Sequence, residues 1–178
     1  MPVITFANTK GGAGKTTAAV IIASELARLG HRVTLLDADP QQWTSRWYGL
    51  TKAQKNLSVI SDVSDETIEG HIKGSKKRGG YVIVDLPGGR SPLMAKAIGF
   101  ANHVLIPVQG CAMDAVGGAE VLGLLKDLAE RCDIHIPHSV ILTRISPIIT
   151  TRSMQAVKSL LAEKMVHVMG TPLVGRAA

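Results

Sequence analysis

The sequence predicts an α/β fold: a three-layer α/β/α arrangement around a mostly parallel, twisted sheet, in a single domain spanning 1–178. Three observations carry this. Short β-forming runs alternate along the chain with segments of helical period, the pattern of repeated βαβ units. The chain is 46% hydrophobic but only 3% aromatic, so Ala, Val, Ile and Leu supply a core suited to strands buried on both faces. The first strand runs directly into a glycine-rich loop and then a helix. A length of 178 residues is enough for one domain with a sizeable core.

The elements follow in order. Residues 2–8 are the first strand and 15–29 the first helix, with Ala19, Ile22, Ala23, Leu26 and Leu29 at helical spacing and Gly30 as the residue that ends it. Val33 to Leu36 is the second strand and ends in Asp37-Ala38-Asp39-Pro40-Gln41. Gln41 to Tyr48 is expected to be helical, with Trp43 and Trp47 one turn apart and packed into the core. Leu57 to Ile60 is a short strand near a sheet edge, and Ser64 to Gly74 a helix with an incomplete capping box. Lys73 to Gly80, rich in Lys and Arg, reads as a solvated, flexible loop. Tyr81 to Val84 is a buried strand ending in Asp85-Leu86-Pro87-Gly88-Gly89. Ser91 caps a helix over 92–101, with Pro92 in its first position. A strand over 103–108, a long helix over 114–132, a strand over 139–143, a helix over 150–164 and a last short strand over 165–168 complete the pattern.

The chemistry concentrates at strand ends. Lys10-Gly11-Gly12-Ala13-Gly14-Lys15-Thr16-Thr17 sits between a strand and a helix, the context a phosphate-binding loop requires. Glycines let backbone N–H groups approach an anion, and the helix N-terminus adds unpaired donors and its positive dipole end. Lys15 would reach the β- and γ-phosphates, and the Thr16 hydroxyl would ligate Mg²⁺. In an open α/β sheet, ligands sit at the carboxyl ends of strands, which puts Asp37, Asp39 and Asp85 on the same edge as the loop. Acidic residues there also serve as turn formers or helix caps. An apolar strand ending in Asp is the Walker B arrangement, whose carboxylate holds the shell of a metal bridging phosphates.

The loop departs from G-x-x-x-x-G-K-[ST]: Thr9 stands where the first glycine belongs, and Lys10 follows it. K-G-G-x-G-K-[ST] resembles the deviant Walker A motif of the ParA/MinD superfamily. Asp37-Ala38-Asp39-Pro40-Gln41 resembles the first switch of ParA proteins and Asp85-Leu86-Pro87-Gly88 the start of the second. The match is best to small plasmid-type ParA proteins and runs from Val3 to about Arg176.

The resemblance implies a deviant P-loop ATPase, with ATP and Mg²⁺ as cofactors and hydrolysis weak in isolation. Lys10 would reach the nucleotide of a second subunit, Asp37 would stand near Mg²⁺, and Asp39 would orient the attacking water. Thr143 and Arg144 would lie at the adenine base. The function implied is DNA partitioning: an ATP-bound homodimer binds non-specific DNA, and a ParB-like centromere-binding protein stimulates its release. Arg144, Arg152, Lys158, Lys164 and Arg176 are candidate DNA contacts. Relatives of this kind continue past this point with one or two more helices, so the chain is either truncated at its C-terminus or a short form. A MinD-like membrane-cycling ATPase, a cluster-assembly carrier and a metabolic ATPase of the same fold are the alternatives.

Composition narrows the setting. The net charge of +6 suits a polyanionic partner, though charge alone does not separate that from an ordinary solvated surface. No apolar run reaches bilayer length, residues 1–10 carry no signal-peptide pattern, and Cys111 and Cys132 make no disulfide framework. A cytoplasmic, nucleoid-associated protein with no membrane partner is expected.

Overall fold

The computed structural model describes residues 2–51, 55–110, 112–146 and 151–175. Its strands are β1 (Val3–Phe6), β2 (Val33–Asp37), β3 (Leu57–Ile60), β4 (Tyr81–Asp85), β5 (His103–Gln109), β6 (His138–Ile145) and β7 (Leu173–Val174). Its helices are α1 (Lys15–Arg28), α2 (Trp43–Thr51), α3 (Ile68–Arg78), α4 (Pro92–Gly99), α5 (Ala112–Cys132) and α6 (Arg152–Glu163). The sheet order is β3-β2-β4-β1-β5-β6-β7 and every pairing is parallel.

Strand alternation divides the core in two. Val33, Leu35 and Ile83 face α1, whereas Leu36, Val82 and Val84 face the opposite layer with α3, α4 and α5. Toward the sheet α1 presents Ala18, Ala19, Ala23 and Ala27, small side chains that let the helix lie close against the strands. It ends in a Schellman motif: Gly30 at φ 89° donates to Ala27 and His31 donates back to Leu26.

Several expectations change. The basic stretch from Lys73 is not a loop: Lys73, Lys76, Lys77 and Arg78 form the last turns of α3, which Gly79 and Gly80 terminate at positive φ. Lys and Arg are good helix formers, and their charge complements the negative C-terminal end. Gly80 is obligatory there, since a Cβ would stand 2.0 Å from the Arg32 carbonyl oxygen. The final strand is Leu173–Val174; of 165–168, only Val168 bridges to the sheet, at Val140. Trp43 is 54% exposed, and only Trp47 packs against the core. The Ser64 pattern closes the turn that precedes α3 and does not cap the helix: the Thr67 hydroxyl accepts from the Ser64 N–H (2.9 Å) and Thr67 N–H donates to the Ser64 hydroxyl (3.3 Å), while α3 starts after Thr67 with no side-chain cap.

Candidate active site

Strands β1, β2 and β4 end level, with Asp37 opposite Asp85 and Phe6 opposite Asp85 in register. This carries the glycine loop and both strand-end carboxylates to one edge. There the loop lines, with Asp39, Trp43, Gly88 and Arg144, a cavity of about 630 Å³. A larger apolar cavity of about 800 Å³ lies at the amino end of β6 and contains none of the motif residues.

The loop is held from several sides. Gly12 and Gly14 adopt φ of 80° and 92°, and Gly14 begins α1 without a side-chain cap. The N–H groups of Lys15, Thr16 and Thr17 therefore lack helical acceptors and are available to an anion. Thr143 donates its hydroxyl to the Ala13 carbonyl (2.8 Å), and Gln109 donates its side-chain amide to the Gly12 carbonyl. Gly89 N–H donates to the Thr9 carbonyl (2.7 Å), and Asn8 Oδ1 accepts from Lys10 N–H (2.8 Å). Thr9, the departure from the general motif, donates its hydroxyl to Glu120 on α5 (2.5 Å). Gly117 of α5 lies against the same turn: a Cβ there would meet Asn8 Oδ1 at 2.2 Å and Lys10 N at 2.8 Å.

The two lysines of the motif differ in placement. Lys15 is buried, lines the cavity and donates to the Lys10 carbonyl (3.1 Å). Burial lowers its pKa, opposed by the carboxylates of Asp85 and Asp39. Lys10 is exposed and is not among the residues lining the cavity.

Asp85 is fully buried. Its Oδ2 accepts from the Thr44 hydroxyl (2.8 Å), and its Oδ1 has no hydrogen-bond partner among the described residues. Burial pushes its pKa up to about 6, although the Thr44 and Thr16 hydroxyls pull it partly back. Asp37 is buried as well, and its Oδ2 accepts from the N–H (2.8 Å) and hydroxyl (2.6 Å) of Ser45. Asp39 accepts from Gln41 N–H (2.9 Å) at the cavity rim. The turn-forming and capping roles of these aspartates are thus real, and they hold the same carboxylates at the loop's edge of the sheet.

An orphaned, buried carboxylate oxygen beside the Thr16 hydroxyl fits Mg²⁺, a hard cation that takes oxygen ligands. No cluster of three or more acidic, His or Cys ligands occurs among the described residues.

Thr143 and Arg144 part company. Thr143 is buried with its hydroxyl committed to the loop, and a Cβ on Gly14 would come within 3.2 Å of it. Arg144 is exposed, lines the cavity and sits at φ 52° where the β6–β7 register shifts. Arg152, Lys158 and Lys164 are exposed around α6. Arg176 and Cys111 lie outside the described residues, and Cys132 is exposed with a free thiol. No helix among the described residues is long and apolar enough to cross a membrane.

Sequence reasoning missed Thr44, Ser45, Gln109 and the rim position of Trp43. The signal for the first two was present: hydroxyl residues in the first turn of a helix that starts just after an acidic strand end.

Comparisons with known proteins show the family and the fold. A family model described as an AAA domain matches residues 1–80. Protein ParA of Rhizobium radiobacter is 40% identical over 178 residues, which is all of this chain and 80% of that protein. The chain belongs to the ParA family. The maintenance of carboxysome distribution protein A of Gloeobacter kilaueensis is 32% identical over 151 residues, 82% of this chain and 64% of that protein. The chromosome-partitioning ATPase Soj of Thermus thermophilus is 31% identical over 154 residues, covering 70% of this chain and 61% of that one. The chain therefore spans under two thirds of the length of these two ParA-family relatives. Among solved structures, cobyrinic acid a,c-diamide synthase from Mycobacterium smegmatis, with bound ADP and magnesium, superposes at a TM-score of 0.83. That match covers 100% of this chain and 88% of that one at 18% identity, so it speaks for the P-loop fold alone. ParA-family proteins are nucleotide-binding ATPases.

Proposed function

We propose that this ParA-family chain is an ATP-dependent DNA-partitioning ATPase that works as a nucleotide-sandwiched homodimer. The observation that carries the reading is the split between the two loop lysines. Lys15 lines its own cavity, whereas Lys10 is exposed beside that cavity and outside its lining. A lysine so placed is available to the nucleotide of a second copy. Each site is then complete only in the dimer, so a lone subunit should hydrolyse ATP slowly.

In this reading each residue takes a role that its placement supports. Loop N–H groups and the α1 N-terminus cradle the β-phosphate, and Lys15 leaves the Lys10 carbonyl to bridge phosphate oxygens. Thr16 and Asp85, with Asp37 beside them, would hold Mg²⁺, which when bound neutralises charge developing on the β- and γ-phosphate oxygens. Asp39 at the rim orients the attacking water. Gly88 packs on the loop so closely that a Cβ would be 3.1 Å from Gly11 N, which lets second-switch backbone sense the γ-phosphate. Loss of that phosphate removes the contacts that favour the dimer.

DNA binding would use cations doubled by dimerisation, with Arg144, Arg152, Lys158 and Lys164 as candidates and the net charge of +6 in support. A ParB-like protein is the partner expected to stimulate turnover, on the nucleoid in the cytoplasm. The test is binding to random-sequence duplex DNA with ATP, ADP and no nucleotide, at low and moderate salt. Binding should require ATP and weaken steeply with salt. Equal binding in all three states would refute the reading.

A further inference from the structure

Four consecutive residues in the first turn of α2 serve the site in different ways. Thr44 holds Asp85 and Ser45 holds Asp37. Trp43 donates its indole N–H to the Gln41 side-chain oxygen (2.6 Å), and Gln41 N–H in turn donates to Asp39 Oδ1 (2.9 Å). Arg46 closes the set by placing its guanidinium 4.9 Å from the centre of the Trp43 ring.

Trp43 is not positioned by burial. Trp47, one turn on, packs against the core, whereas Trp43 stays 54% exposed at the cavity mouth. What fixes the indole is its polar edge on Gln41 and a cation on its face. The intervening turn is closed by a backbone bond. Gln42 occupies φ 52°, unusual for a residue with a side chain, and its N–H donates to the Asp39 carbonyl (2.9 Å). The Asp39 carboxylate is thus tied, through the Gln41 backbone and side chain, to an indole anchored on α2.

We propose that Trp43 is a positioning residue for Asp39: through Gln41 it sets the direction of the carboxylate that faces the attacking water. This rests on the reading of Asp39 given above. The indole acts through its N–H, so a phenyl ring should keep the cation contact and lose the positioning.

The test compares W43F, Q41A and W43F/Q41A at saturating Mg-ATP. W43F should lower kcat about tenfold while KM for ATP stays within about twofold, because rim orientation is lost without loss of the phosphate cradle. The double variant should turn over no more slowly than the slower single one, since both break the same link. A spectroscopic arm needs no hydrolysis. The chain has two tryptophans, so W47F leaves Trp43 as the sole indole emitter, and adding Q41A should shift its emission. A W43F protein with wild-type kcat, or Trp43 emission unmoved by Q41A, would overturn the proposal. If the wild type bound Mg-ATP yet hydrolysed none, the assigned role of Asp39 and this proposal would both fall. The emission arm would tell that case from an absent Trp43–Gln41 link.

Discussion

Replacing Asp85 by Asn should make the nucleotide-free protein more stable while removing its response to magnesium. The Asp85 carboxyl is buried with one oxygen unpaired, and its pKa is pushed up to about 6 from an ordinary 3.8. A tenfold change in proton affinity corresponds to about 1.4 kcal/mol, so holding the ionised form at pH 7.5 costs the fold about 3 kcal/mol. Asn keeps an oxygen for the Thr44 hydroxyl and carries no charge. Its amide hydrogens then lack an assured acceptor, which reduces the expected gain to about 1–3 kcal/mol. In a chain of this size that is a rise in Tm of roughly 2–12 °C.

The pH dependence follows from the same change in proton affinity. A carboxyl with a raised folded pKa binds more protons folded than unfolded between about pH 4 and 6. Its contribution to stability therefore falls as pH rises through that window and is flat above it. The advantage of Asp85→Asn should accordingly be full at pH 7.5 and shrink toward pH 4.5. Urea denaturation at the two pH values, in EDTA and without nucleotide, measures it. Mg-ATP should stabilise the wild type more than ATP with EDTA, and this difference should vanish in the variant. A variant less stable than wild type at pH 7.5, or with the same gain at both pH values, would refute the burial argument.

Other outcomes follow from particular contacts. Thr44→Val removes the hydroxyl that donates to Asp85 Oδ2 and should cost about 1–3 kcal/mol by urea denaturation, along with weaker Mg-ATP binding in calorimetry. Gly117→Ala would drive a Cβ to 2.2 Å from Asn8 Oδ1 and should weaken ATP binding at least tenfold by deforming the loop. Gly123→Ala on the same helix meets nothing within 4 Å, should leave binding unchanged and should stabilise by up to about 1 kcal/mol. Asp39→Ala should bind ATP and dimerise but turn over far more slowly, as single-turnover assays would report.

The parts of the site that phosphate chemistry demands were legible in the sequence. Lys10 to Thr17 and the aspartates at 37, 39 and 85 must follow strands at set positions, so residue type and spacing were enough to place them on one edge. The contacts that hold those groups were not legible, because they come from distant elements. Thr143 and Gln109 reach the loop from neighbouring strands β6 and β5, and Glu120 and Gly117 reach it from α5. Thr143 shows the consequence: its hydroxyl is committed beneath the loop, a contact that no spacing in the sequence marks. The fold was read well where period and burial agree, as in β4 or α1. It was misread where charge suggested a loop, at Lys73 to Arg78, although helix propensity and a buried Ile68–Ile72–Ser75 face hold the helix there. The two-residue β7 is too short for alternation to register.

The central claim is that the site is shared between two subunits through Lys10, and sedimentation velocity of wild type and Lys10→Ala tests it most directly. Wild type should be a dimer with ATP and a monomer with ADP. Lys10→Ala should still bind ATP, since Lys15 and the loop are intact, yet remain a monomer with either nucleotide. An ATP-dependent Lys10→Ala dimer with wild-type turnover would contradict the shared site.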